Sequence, residues 1–212
     1  MARSRQTRGT ISERDYCRIA ETYARQVVAG KIPAGKLLIA ACQRQLNDLK
    51  AAREKGSRFP YRWDRKRGAR ICRFLARLPH IKGDLAEQKK LIELDPWQCF
   101  VLTTAYGWVH RQTKLRRFRQ AYLEVARKNA KSTKGAGIGL YHLVADEEAG
   151  PEVYTLATTR EQAGIVWRTG KSMVKKSPGL QRRFGVEALA QAVVVESTDG
   201  TFQSLPGDPG DG

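Results

Sequence analysis

Val125-Ala-Arg-Lys-Asn-Ala-Lys-Ser132 is the stretch on which the reading of the fold turns. Before it stands a short apolar run, Ala121-Tyr-Leu-Glu-Val-Ala126, which reads as a buried strand. After it, residues 131–145 carry a helical pattern that tolerates Gly135, Gly137 and Gly139. A strand, a tight turn ending in Lys-Ser and a helix is the context in which backbone N–H groups face an anion. The usual phosphate-cradling loop is written G-x-x-x-x-G-K-[ST]. Here Lys131-Ser132 is intact, while Val125 and Ala130 stand at the two glycine positions. The physics survives the substitutions. Lys131 can reach outer phosphates and Ser132 can offer a hydroxyl to Mg²⁺. Ala130 is the milder departure, provided its backbone keeps a negative φ. A basic turn ahead of a helix is the competing reading of the same octapeptide.

Two other glycine clusters do not compete. Gly170-Lys171-Ser172 has its upstream glycine, Gly164, one residue too far away, and it lies inside a helix-patterned segment. Gly135, Gly137 and Gly139 have the wrong spacing for a dinucleotide loop, and they allow close packing of a helix on a sheet.

Working outward, helices are predicted over about 14–28, 35–55 and 64–78, ended by Gly30 and Pro33 and by Gly56-Ser57 and Pro60. The outer face of the third carries Arg65, Lys66, Arg67, Arg70, Arg73 and Arg77, which could lie along a phosphate backbone or simply be solvated. Residues 79–93 are a polar connection, and the domain boundary is placed there: 1–93 a basic helical region, 94–212 an α/β domain. Asp95-Pro96-Trp97-Gln98 has the form of a helix start, with Asp95 as cap and Pro96 in the first turn. Beyond the loop, strands are read at 152–158, 192–196 and 201–205. A capped helix is read at 159–175, and turns at Ser177-Pro178-Gly179 and Asp199-Gly200. The first nine residues read as frayed, and the last seven are all turn formers.

Composition sets the class. The 212 residues carry 39 Lys and Arg against 21 Asp and Glu, a net charge of +18, with 41% apolar and 28% charged residues. That excludes a fibrous or disordered chain. No stretch approaches the roughly 18 apolar residues of a membrane span, and no apolar segment of a secretory signal follows Met1–Arg8. The charge is concentrated in front: residues 1–134 hold 32 basic and 11 acidic side chains, residues 135–212 hold 7 and 10. A polyanion partner is the reading this favours. Cys17, Cys42, Cys72 and Cys99 match no zinc or redox spacing and read as reduced thiols of a cytoplasmic protein.

Taken together and in order, these pieces resemble the large subunit of tailed-phage DNA-packaging terminases. Tyr23–Gly30 and Lys31–Leu49 are similar to that family's N-terminal helices, and Leu94–Gln98 to its adenine motif. Arg116–Ser132 resembles its deviant Walker A, where Arg-Lys-Asn-Gly-Lys-Ser is usual. Tyr154–Ala163 resembles its second strand and helix. The resemblance implies a P-loop NTPase domain of the RecA-like, ASCE type behind the basic helical segment. It implies ATP and Mg²⁺ as cofactors, with double-stranded DNA, the portal and the small terminase subunit as partners, in the host bacterial cytoplasm. Residue by residue, Gln98 would contact adenine. Arg127, Lys128, Asn129, Ala130, Lys131, Ser132 and Thr133 would form the phosphate loop. Lys131 would neutralise the β- and γ-phosphates, Ser132 would hold Mg²⁺, and Arg127 would sense or stabilise the γ-phosphate.

The pattern departs at two places. Ala130 replaces the usual glycine. No apolar strand ending in paired acids follows Lys131: Asp146-Glu147-Glu148 reads as a solvated turn, and Ala192–Glu196 offers a single acid. The expectation is therefore a front portion cut before the Walker B strand and the nuclease domain, without turnover of its own. Two alternatives stay open: a non-catalytic basic DNA-binding or adaptor protein, and a helicase-type P-loop ATPase.

Overall fold

The computed structural model describes residues 14–205, the side chain of Arg160 excepted. The expectations for the first nine and last seven residues lie outside that range. In chain order the elements are α1 (Tyr16–Val28), α2 (Lys36–Glu54), β1 (Tyr61–Trp63), α3 (Arg65–Leu75), α4 (Asp84–Glu87), α5 (Pro96–Gly107), β2 (Trp108–His110), α6 (Lys131–Val144), β3 (Glu152–Thr155), α7 (Arg160–Lys175), α8 (Pro178–Phe184), β4 (Val186–Ala188), β5 (Val193–Val195) and β6 (Gly200–Ser204). They divide into two compact units. One holds Met1–Arg73 and Glu93–Tyr122, the other Phe74–Ile92 and Leu123–Gly212.

The first unit is built on helix packing. Asp15 caps α1, accepting from the Arg18 amide at 2.9 Å. The apolar stripe Tyr16, Ala20, Tyr23, Val27 is buried against α5 and α2. β1 and β2 pair antiparallel, Tyr61 opposite His110 and Trp63 opposite Trp108. Trp108 is fully buried, and its indole N–H donates to the Gln45 side-chain oxygen at 2.7 Å, so a polar atom in this core is satisfied. Three cations of the predicted outer face of α3 hold the protein itself: Arg65 pairs with Asp15 at 2.9 Å, Arg67 donates to the Lys114 carbonyl at 3.1 Å, and Arg73 to the Lys66 carbonyl at 3.4 Å. The four cysteines are free and buried.

The second unit is a four-stranded sheet in the order β3-β6-β5-β4. β3 and β6 are parallel, while β5 and β4 run antiparallel to their neighbours. α6 and α7 pack on it, and two glycines permit the approach. A Cβ on Gly139 of α6 would stand 2.8 Å from the Phe202 ring, and one on Gly170 of α7 would stand 2.7 Å from it. Phe202 of β6 is fully buried between them. Close packing of the glycine-bearing helix was the expectation, and Gly170-Lys171-Ser172 lies within α7 as expected. Thr159 caps α7, accepting from the Gln162 amide at 3.2 Å.

Two local expectations are corrected, and three short strands went unread. Residues 121–126 form no strand. A strand exists only where a neighbour takes its backbone N–H and C=O groups, and none does so among the described residues. Ser177-Pro178-Gly179 starts α8 rather than a turn, with Ser177 as cap and Pro178 in the first turn, the position proline favours. Finally, β1, β2 and β4 are three-residue strands that no period signalled.

Candidate functional site

The 125–133 loop belongs wholly to the second unit. It enters α6 at Lys131, where the sequence placed the helix start. Ala130 is the helix N-cap, with φ 54° and ψ 32°, in the left-handed region, and no side chain caps the helix. Its carbonyl accepts from the Lys134 amide at 2.9 Å, closing the first turn. The condition set for Ala130 therefore fails: its φ is positive, and an L-residue stands where the backbone favours glycine. Lys128 is also left-handed at φ 66°, while Arg127 and Asn129 have negative φ. Alternation of this kind turns successive N–H groups toward one side and makes an anion-binding concavity. Here it opens onto the positive end of a 14-residue helix.

The side chains complete the loop. Lys131 donates its ammonium to the Val125 carbonyl at 2.8 Å, spanning the base of the turn. Asn129 donates its amide to the carbonyls of Ala126 at 3.2 Å and Arg127 at 3.3 Å, and so braces the turn from inside. Arg127, Lys128 and Lys131 are exposed, and among the described residues neither Arg127 nor Lys128 makes an ion pair. Ser132 and Thr133 are half-buried in the first turn of α6. Three cations, an uncapped helix terminus and a hydroxyl thus meet within one turn of chain, a donor set suited to phosphate and its metal.

Gln98 is not part of this cluster. It lies in the first unit, in the first turn of α5, 7% exposed. Its amide donates to the Asp95 carboxylate at 3.0 Å, and its oxygen accepts from the Asp95 backbone N–H at 3.2 Å. This is a capping box, with Pro96 beside it. Both polar groups of Gln98 are thus engaged with Asp95.

Among the described residues no strand of the second unit ends in paired acids. β3 and β6 end at Thr155 and Ser204, without a carboxylate. Glu196 follows β5, which runs antiparallel to β6, so it emerges at the opposite end of the sheet. In open α/β sheets ligands bind beyond the carboxyl ends of the parallel strands, which Glu196 does not reach. What the sequence missed at the site is the left-handed pair Lys128 and Ala130. The signal for it was the glycine that the resembling loop carries at position 130.

Comparison with known proteins gives one consistent result. Residues 96–211 match the family "Terminase large subunit, ATPase domain". The large terminase subunit of Enterobacteria phage HK97 is 34% identical over 117 residues, 54% of this chain and 22% of that protein. The crystal structure of the HK97 bacteriophage large terminase is similar over 67% of this chain and 28% of that one, at 27% identity and a TM-score of 0.54. The chain thus spans about a quarter of the length of the relatives it matches.

Proposed function

The chain belongs to the family of terminase large subunit ATPase domains, and from that premise we propose that residues 125–133 bind ATP together with Mg²⁺. The fold is the P-loop NTPase-like α/β fold of that family, which implies nucleotide use. The observation that carries the finer reading is the loop itself: left-handed backbone at Lys128 and Ala130 ahead of an uncapped helix, with Lys131 lying across it.

Each residue then has a task. Lys131 leaves the Val125 carbonyl for the β- and γ-phosphates, exchanging a neutral acceptor for an anionic one. The amides of residues 128–132 cradle the phosphate oxygens. The Ser132 hydroxyl, with Thr133 beside it, would hold Mg²⁺, which would supply screening of the phosphate charge. Arg127 adds a cation to the γ-phosphate, where charge develops during transfer.

The division by role sets a basic helical region, residues 1–93, ahead of the ATPase segment, residues 94–212. It differs from the division by compactness, which groups α5 with α1. In the intact protein, ATP hydrolysis would drive double-stranded DNA into a procapsid in the host bacterial cytoplasm, with the portal and small terminase subunit as partners. Among the described residues no helix is long and apolar enough to cross a membrane. Among the described residues neither β3 nor β6 ends on a carboxylate to position water. The test is thermal unfolding with and without Mg²⁺-ATP. Ligand bound to the folded state raises the midpoint, and the rise should vanish when Ser132 and Thr133 are both replaced by alanine. An equal rise in that variant contradicts the site.

A further inference from the structure

We propose that the antiparallel β1–β2 pair and the segment that returns along it form a surface for the phosphate backbone of duplex DNA. The proposal rests on the reading that DNA is the partner, and it adds where the chain holds it. The first unit carries 24 Lys and Arg against 8 Asp and Glu, and the second 15 against 13, so net charge of +16 out of +18 resides in the first.

Within that unit the excess has a defined seat. The turn after β2 is tied to the chain ahead of β1: the Arg111 amide donates to the Pro60 carbonyl at 2.9 Å and its Nε to the Phe59 carbonyl at 2.9 Å. This places Arg111 beside the chain that carries Arg58, with Lys114 in the same turn as Arg111. Residues 115–119 then run back along β2. The His110 amide donates to the Leu115 carbonyl at 2.8 Å, and the Arg117 amide to the Trp108 carbonyl at 2.9 Å. Phe118 follows, carrying the Arg44 guanidinium at 4.8 Å, with Arg119 next in sequence. Arg44, Arg58, Lys114 and Arg119 are exposed and Arg111 half-buried, and among the described residues none of the five pairs with a carboxylate.

The aromatic rings decide which form of nucleic acid fits. The Arg117 guanidinium lies 4.5 Å from the Tyr61 ring, 5.8 Å from Trp108 and 5.1 Å from Phe118, and is locked to Asp48 at 2.7 Å. Rings already stacked with arginine are not platforms for unpaired bases. What the surface offers is positive charge on a paired two-stranded sheet, which reads backbone and not sequence. The cations of α3 that bond to the protein itself contribute less.

The experiment measures duplex binding by the full chain across a salt series. The variant Arg58→Gln/Lys114→Gln/Arg119→Gln is compared with Lys175→Gln/Lys176→Gln/Arg182→Gln, which removes the same charge from the second unit. The β1–β2 variant should lower the slope of log K against log salt by about 2 to 3, while the second-unit variant leaves it within about half a unit of the unsubstituted chain and two unrelated duplexes bind alike. Equal slopes for the two variants overturn the surface alone. No duplex binding by the unsubstituted chain at about 50 mM salt overturns the DNA reading and the surface with it. Nucleotide binding, measured in parallel, should be the same in all three proteins.

Discussion

Lys128 and Ala130 both hold left-handed backbone, at φ 66° and 54°, with Asn129 between them on the ordinary side. For an L-residue this conformation costs about 1–2 kcal/mol, and the loop holds two such residues where it must point amides at an anion. Strain stored in this way is recoverable. Ala130→Gly should raise stability by roughly 1 kcal/mol, since glycine adopts the native φ without penalty. Ala130→Val should lower it by more than that, because a branched Cβ crowds the same backbone. Urea unfolding of the two variants checks both signs. A glycine variant no more stable than the parent would show that Ala130 is not strained.

The core of the second unit depends on a comparable closeness. A Cβ at Gly170 would stand 2.7 Å from the Phe202 ring, with Gly139 as near on another side. The ring is fully buried and cannot swing to solvent. Gly170→Ala should therefore destabilise by about 1–3 kcal/mol through overpacking. In the double variant with Phe202→Leu the same alanine should cost less, since the ring that it meets is gone. Additive losses would place the cause elsewhere.

The buried thiols predict a pH dependence. Burial pushes Cys17 and Cys42 up to about 11 from the ordinary 9. Below pH 9 both are neutral folded and unfolded, and their contribution is fully present. From about pH 9 the unfolded chain releases these protons while the folded chain keeps them, so stability falls until about pH 11. Cys72 is shifted in the same direction by its hydrogen bond with Cys99 and by burial. The unfolding midpoint should therefore fall across this window, less steeply in Cys42→Ala. Alkylation of the native protein at neutral pH should be slow at all four cysteines and fast in denaturant. An identical slope in Cys42→Ala would remove that thiol from the account.

What the sequence made legible was local. Asp95 with Pro96, and Thr159 with Gln162, announce helix starts because a cap satisfies amides a few residues away, whereas the cap Asp15 went unread. Lys131 was read as the start of α6 from the helical pattern that follows it. Strands resisted: Arg62 pairs with Val109, far along the chain, and 121–126 has strand composition without a strand, since pairing is decided by a partner and not by the run itself. At the site, the identity and order of Arg127–Thr133 were readable, but the φ of Ala130 was not, because alanine gives no sign that it will take the glycine conformation. Gln98 shows the converse limit. A glutamine three residues after a capping aspartate has the same spelling whether it closes a capping box or meets a base.

The most direct test of the central claim, that the 125–133 loop is a nucleotide-phosphate site, is calorimetric titration of Mg²⁺-ATP into the full chain and into Lys131→Ala. The Lys131 bond to Val125 is exposed, so its loss should change unfolding free energy by no more than about 0.5 kcal/mol. Affinity should fall by about 10- to 100-fold, the worth of one charge-assisted bond to phosphate. Equal affinity in the two proteins, with both folded, would contradict the account.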